Sequence, residues 1–194
     1  MNSIKKFSIK TLGNLIIIVS LLFFISCQSQ DKKSNTSNSK TEVKVPEIDI
    51  HTATFFGNLD AVKQHISAGT DLNVKDQYGS TPLIIASTFG KTDIARKLID
   101  GGADLNIKNN EGSTPLHVAA FFCRTEIVKE LLNKGADKSL LNNYGSTALA
   151  SVSSEFNEVK PIYDQISKDL GPLGLKLDYK HLEATRPVIA ELLK

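Results

Sequence analysis

A chain of 194 residues has room for one modest domain and some accessory segments. Its composition, 41% hydrophobic and 23% charged, is that of an ordinary globular protein. The formal charge of +2 is unevenly placed: residues 1–45 carry seven Lys against Asp31 and Glu42, leaving sixteen basic and nineteen acidic residues from 46 onward, a net −3. A slightly acidic domain has no electrostatic means of holding phosphate backbones, so nucleic acid is not an expected partner.

Lys5, Lys6 and Lys10 lead into an apolar run, Leu12–Ile25, broken only by Gly13, Asn14 and Ser20. A core this short at the extreme N-terminus, followed by a polar tract, has the form of an export signal rather than a stable membrane span. Phe24-Ile25-Ser26-Cys27 resembles the bacterial lipobox, in which a small residue precedes a Cys that is acylated and becomes the mature N-terminus. Ser26 and Cys27 fit that pattern, and Phe24 stands where Leu is usual. The resemblance implies a signal peptide over 1–26, lipidation (palmitate or similar) at Cys27, and a place in the cell envelope. Gln28, where Asp is associated with inner-membrane retention, favours the outer membrane, on its periplasmic or its surface face. The competing reading is an uncleaved N-terminal anchor with an incidental Cys. A lipidated Cys27 leaves Cys123 alone, so the domain is expected to stand on its core without a disulfide.

Residues 27–45 hold almost nothing apolar after the Cys, and such a segment is expected to be a flexible tether spanning roughly 20–25 Å on average. From residue 46 the chain repeats with a period of 33: Gly79, Gly112 and Gly145 are in phase, as are Leu83, Leu116 and Leu149, and Gly69, Gly102 and Gly135. A fixed period of this length denotes stacked supersecondary units that cannot bury their apolar faces alone. In the unit starting at Tyr78, Thr81 is a candidate N-cap and Pro82 takes the first helical position, where its missing N–H costs nothing. Leu83, Ile85 and Ala86 form an apolar face, and Gly90 is placed to end the helix in the left-handed conformation. Asp93 opens a second helix with Ile94, Ala95, Leu98 and Ile99 on one face, ended by Gly101-Gly102.

TPLHVAA (114–120) with EIVKELLNKGAD (126–137), and TPL (81–83) with DIARKLIDGGADLN (93–106), resemble the ankyrin repeat at nearly every motif position. The resemblance implies an all-α solenoid of about four helix pairs, at 48–77, 78–110, 111–143 and 144–170, within an ankyrin region spanning 46–170. The outer units are degraded: the first lacks TPLH, and the fourth has Ala148 where Pro is usual. The last stretch, 171–194, falls off the period and is expected to be a C-terminal helical cap. In it, Asp178 is placed to cap a short helix ending at Thr185, and Pro187 to open a final helix with Val188, Ile189, Leu192 and Leu193 apolar.

No residue pattern points to catalysis, a metal or a cofactor, and none of these is expected. The resemblance implies that His117 ties neighbouring turns together. His51 falls in the same slot of the first unit, while His65 aligns with the core positions Leu98 and Leu131, on the open N-terminal end. The four His show no metal-ligand spacing. Cys123 replaces the Gly seen at 57 and 90, at a turn expected to be partly exposed, and a redox role for its thiol is one alternative. The resemblance places the binding surface on the concave groove and turn tips. In register, the tips are Gln77, Tyr78 and Ser80, then Asn110, Glu111 and Ser113, then Asn143, Tyr144 and Ser146. The ends of the first helices bring Thr88, Phe89, Phe121, Phe122, Ser154 and Glu155. Aromatic anchors flanked by small polar groups suit protein recognition, though several of these Phe also fit as core beneath the turns. The expected function is non-catalytic binding of an envelope or extracellular protein by a lipid-anchored monomer. A surface-exposed or secreted effector or immunity-type binding protein is a further alternative.

Overall fold

The Thr-Pro pairs do start helices. The computed structural model describes residues 45–194; the expected export signal, Cys27 and the expected tether as far as Lys44 lie outside the described residues. The helices are α1 (Ile50–Phe56), α2 (Leu59–Ser67), α3 (Pro82–Phe89), α4 (Thr92–Asp100), α5 (Pro115–Phe121), α6 (Thr125–Asn133), α7 (Ala150–Ser153), α8 (Phe156–Leu170) and α9 (Tyr179–Leu193). A single 3-10 turn at Gly171–Leu173 follows α8, and there is no strand among the described residues.

Thr81 and Thr114 cap α3 and α5, their hydroxyl oxygens accepting from Ile84 N (3.3 Å) and His117 N (3.4 Å). In the first unit, which lacks Thr-Pro, Asp49 does the same for α1, accepting from Thr52 N at 3.0 Å. The short first helices end in the left-handed conformation at Gly57 (φ 78°) and Gly90 (φ 65°). Helices α2, α4 and α6 turn one apolar stripe inward: Ala61 and Val62, then Ile94, Ala95, Leu98 and Ile99, then Ile127, Val128 and Leu131, all buried. Full burial of such a Leu or Ile stabilises by roughly 1.5–3 kcal/mol. The first helices stack as α1, α3, α5 and α7. Ala86 and Ala119, fully buried, let them pack closely.

The C-terminal part, from residue 144 onward, departs from the expected pattern in two ways. The pair expected over 144–170 is not a stacked pair. Helix α7 is one turn long, with no side-chain cap at Leu149 and extended backbone at Ser154. The place beside α6 that a fourth second helix would fill is taken by α9, not α8. Helix α9 is also continuous, whereas two helices with a break before Pro187 were expected. Asp178 caps it, accepting from His181 N at 3.1 Å. Leu182, Arg186, Ile189 and Leu193 are all buried and continue one stripe across the proline. Pro187 sits on the exposed side of the helix, as does Glu183 four residues earlier. The carbonyl that loses its helical partner therefore faces water, which lowers the usual cost of a helical proline.

Candidate functional site

The turn tips are built by one residue per unit. Asp76, Asn109 and Asn142 each sit at the start of a turn, and one side-chain oxygen of each accepts two backbone N–H groups. Asp76 Oδ1 accepts from Tyr78 and Ser80 (both 2.8 Å), Asn109 Oδ1 from Glu111 (3.0 Å) and Ser113 (2.9 Å), and Asn142 Oδ1 from Tyr144 and Ser146 (both 3.0 Å). Short Asx side chains are suited to this local bonding. The signal that could have found them is their 33-residue spacing, which runs beside that of the glycines. Successive tips are then cross-linked: Asn110 N donates to Tyr78 O (3.1 Å) and Asn143 N to Glu111 O (3.0 Å). Their side-chain amides also donate, Asn110 Nδ2 to Gln77 O (3.2 Å) and Asn143 Nδ2 to Asn110 O (2.9 Å). At Gly112, φ is +74° and a Cβ would collide with Asn143 Oδ1, so only Gly fits.

Of the tip residues singled out from the sequence, Gln77, Tyr78, Asn110, Asn143 and Tyr144 are exposed, Tyr78 and Tyr144 at 54% and 52%. Ser80 and Glu111 are half-buried, and Ser113 is buried. Asn110 and Asn143 hold the ladder as well as facing solvent.

The helix-end residues lie at the other end of the first helices, about 12 Å along an eight-residue helix such as α3. Phe89 and Thr88 are half-buried. Phe89 meets Phe55 edge to face (4.9 Å between centroids), and Phe55 meets Phe56 the same way at 5.1 Å. Phe121 belongs with the cap instead, and Phe122 meets Phe121 edge to face at 5.1 Å. Phe122 is buried, at 7% exposure, beneath the surface rather than on it. Phe121 carries the ring of Tyr163 from α8, stacked at 4.6 Å, with Phe156 stacked on Tyr163 in turn at 5.9 Å. Tyr163 Oη donates to Phe121 O (2.6 Å) and accepts from Arg186 Nη1 (3.1 Å), while Arg186 Nη2 donates to Ser154 O (2.9 Å). Ser154 and Glu155 are exposed.

The titratable groups are placed for structure. His117 Nδ1 accepts from Thr114 N (3.3 Å), which puts the ring proton on Nε2, and that nitrogen donates to Ser146 O at 3.0 Å. Burial pushes its imidazole below the ordinary value. His51 Nε2 reaches Val74 O (3.0 Å). The buried His65 bonds Ile48 O (2.8 Å) and Thr70 Oγ1 (3.1 Å). Burial pushes the Glu111 carboxyl up, and burial together with the Glu111 charge pushes the Tyr144 phenol up. Cys123 is not the partly exposed thiol expected from its turn. It is 3% exposed because α9 covers it, with Sγ 3.7 Å from Leu182 O. Burial pushes this thiol up to about 11, against the charges of Arg186 and Arg124, so it is held in the unreactive protonated form. Its φ of +52° is the single positive value outside glycine among the described residues. No group of three or more His, Cys, Asp or Glu among the described residues is placed to hold a metal ion.

Helix pairs stacked at a period of 33, joined by cross-linked turns, define a repeat solenoid. Residues 50–142 match the family model described as ankyrin repeats (3 copies). Residues 50–142 carry ankyrin repeats, and the described residues form an all-α repeat solenoid. A search of curated proteins finds no match to the chain. Ankyrin repeats are in general protein-interaction modules, and protein binding is the general function this family supports.

Proposed function

We propose that this protein is a non-catalytic binding module held at a bacterial cell envelope by a lipid on Cys27, and that it engages a partner protein through the turn tips and the face lined by the first helices. The observation that carries the binding face is the exposure of aromatic side chains along it, Phe56 at 71% with Tyr78 and Tyr144. Large aromatic side chains left in water on a rigid scaffold are the usual anchors of protein interfaces. The membrane attachment rests on the lipobox-like residues Phe24–Cys27 alone.

Two experiments test this reading. Crosslinking in intact envelopes, followed by pull-down, compares wild type with Tyr78→Ala/Phe89→Ala/Tyr144→Ala, after both are shown to melt cooperatively. Loss of one captured partner in the triple variant supports the face; its retention moves binding to another surface. Labelled palmitate is expected to be incorporated by wild type and not by Cys27→Ser, and equal labelling of the two sinks the lipid anchor.

A further inference from the structure

Deepening that reading, and resting on it, we infer that the turn tips bind an arginine side chain of the partner protein, its guanidinium paired with the Glu111 carboxylate and flanked by the rings of Tyr78 and Tyr144. The period of 33 puts Tyr78, Glu111 and Tyr144 at one position of three successive tips. The ladder fixes their order in space. Asn110, the neighbour of Glu111, donates through its backbone N–H to Tyr78 O (3.1 Å), and Asn143, the neighbour of Tyr144, donates to Glu111 O (3.0 Å). Each of the three also gives its own N–H to the Asx oxygen that closes its turn. Their backbones are therefore set before a partner arrives, which spares the ordering cost of binding. The Tyr144 phenol feels the Glu111 charge, so these two side chains stand close enough to meet one group.

The row has two rings open to water and one carboxylate partly withdrawn from it. Tyr78 is 54% and Tyr144 52% exposed, whereas Glu111 between them is half-buried. Burial alone raises its carboxyl, and no Lys, Arg or His is paired with it among the described residues. The lysines that precede the tips are engaged elsewhere: Lys108 Nζ donates to Leu141 O and Lys75 Nζ to Lys108 O, both at 2.8 Å. On the second helices, by contrast, the well-exposed Asp60, Asp93 and Glu126 each hold a cation three residues on. A carboxylate that has lost water without gaining a counterion gains most when a partner supplies one. The net −3 of residues 46–194 favours approach of a cationic segment. Arginine fits better than lysine. Its planar fork can lie along the carboxylate while its face rests on a phenol ring, where an ammonium offers only a strongly hydrated point charge.

The test titrates N-acetyl-arginine amide into the isotope-labelled full chain in detergent and follows the backbone amides by NMR. Saturable shifts are expected at residues 78–80, 111–113 and 144–146. N-acetyl-lysine amide is expected to bind at least about threefold more weakly, and the neutral isostere N-acetyl-citrulline amide at least about tenfold more weakly. Glu111→Gln keeps the side-chain size and every ladder bond, which Glu111 makes through its backbone, and is expected to weaken arginine binding by at least about tenfold. Tyr144→Ala is expected to weaken it by about threefold. The Asn110 and Asn143 amide signals check that the ladder is intact in both variants. Absence of saturable shifts at the tips overturns the inference. So does a lysine or citrulline probe that binds as tightly, or a Glu111→Gln chain that binds arginine unchanged. If the envelope pull-down captures a partner that the triple variant loses while the arginine probe fails, the binding reading stands and the arginine inference alone falls. If both fail, the tips are not a binding surface.

Discussion

Between Ile50 and Asn143 several joints recur at the period, Asp104 N on Asn73 Oδ1 and Asp137 N on Asn106 Oδ1, then Lys75 on Lys108 O and Lys108 on Leu141 O; beyond Asn143 the joint is made by Tyr163 and Arg186, which have no counterpart one period back. The clearest case is the carbonyl at the end of a first helix. Thr88 O, at the end of α3, accepts from Arg124 Nη2 of the next unit (3.1 Å). Its equivalent one period on, Phe121 O, has no next unit to supply an arginine, and Tyr163 Oη takes that place with Arg186 behind it. At that joint the bond is backed by the tip ladder and by two stacked helix layers, α3 on α5 and α4 on α6. The terminal joint gathers its stabilisation into one cluster. Arg186 is 2% exposed and pairs with no carboxylate among the described residues; its guanidinium donates to the Tyr163 hydroxyl and the Ser154 carbonyl instead. A solenoid end has to be closed by something the repeat does not encode.

This contrast is most directly broken at Tyr163. Truncation of a fully buried aromatic leaves a cavity and strands the Phe121 carbonyl, and Tyr163→Ala is expected to cost about 3–5 kcal/mol in urea unfolding. Tyr163→Phe keeps the volume but leaves the Phe121 carbonyl and an Arg186 donor unpaired, for about 1–3 kcal/mol. Tyr144→Ala, exposed on a tip, is expected to stay within about 0.5 kcal/mol. If Tyr163→Ala is as mild as Tyr144→Ala, the terminal joint is not concentrated there.

Two glycines separate ladder from end within one motif. Gly112 and Gly145 have nearly the same φ, +74° and +72°, so alanine meets the same left-handed penalty of about 1–2 kcal/mol at either. A Cβ at 112 also collides with Asn143, while at 145 nothing lies within 4 Å. Gly112→Ala is therefore expected to be the costlier by about 1 kcal/mol, the value of one ladder bond. Equal thermal shifts for the two would mean that the tip ladder contributes little.

Cys123 reports on the same joint from below. With its thiol held at about 11 and covered by α9, alkylation by iodoacetamide at pH 8 is expected to be at least about a hundredfold slower than for a free thiol. Tyr163→Phe, by loosening the cap, is expected to speed it several-fold without unfolding the repeats. Fast labelling of the wild type would show the cap open in solution.

What was legible in the sequence follows the same division. The period, the Thr-Pro starts, the left-handed glycines and the apolar stripes of α2, α4 and α6 all rest on local chemistry repeated in phase, so each copy checks the others. The cap offered no second copy. Nothing local distinguishes Tyr163 from a surface tyrosine of an amphipathic helix, or Arg186 from a solvated charge, because their burial depends on contacts 42 and 32 residues away. Pro187 looked like a helix start because a proline inside a helix is acceptable only when its face is known to be exposed. The same ignorance of α9 made Cys123 look accessible. Among the candidate site residues, the tips could be placed because their turns are periodic. Which helix-end aromatics stay uncovered depended on where α8 lies.

The smallest expected effect concerns the bond that ties the last full repeat to the fourth turn. Burial, with a lesser contribution from Lys108, lowers the His117 imidazole from 6.5, against the raising effect of its bond to Ser146. Between that lowered value and 6.5 the unfolded chain binds a proton that the folded one refuses, so stability is full above 6.5 and declines as the pH falls through this window. The physical cause is plain in the geometry: a second proton on Nδ1 would face the Thr114 N–H, which that nitrogen now accepts. Glu111 acts in the opposite sense. Its carboxyl is raised from 4.5 by burial, so its protonation on acidification favours the folded state, and neutral pH is where it costs stability. Urea midpoints measured between pH 7.5 and 5 are expected to fall in the wild type, with a shallower slope in His117→Gln and a steeper one in Glu111→Gln. Hydrogen exchange at pH 5.5 gives the spatial check. Protection should weaken first in residues 144–193 and last in α3 and α4, because the acid-sensitive bond lies at the joint the repeats share with the cap and not between the repeats themselves.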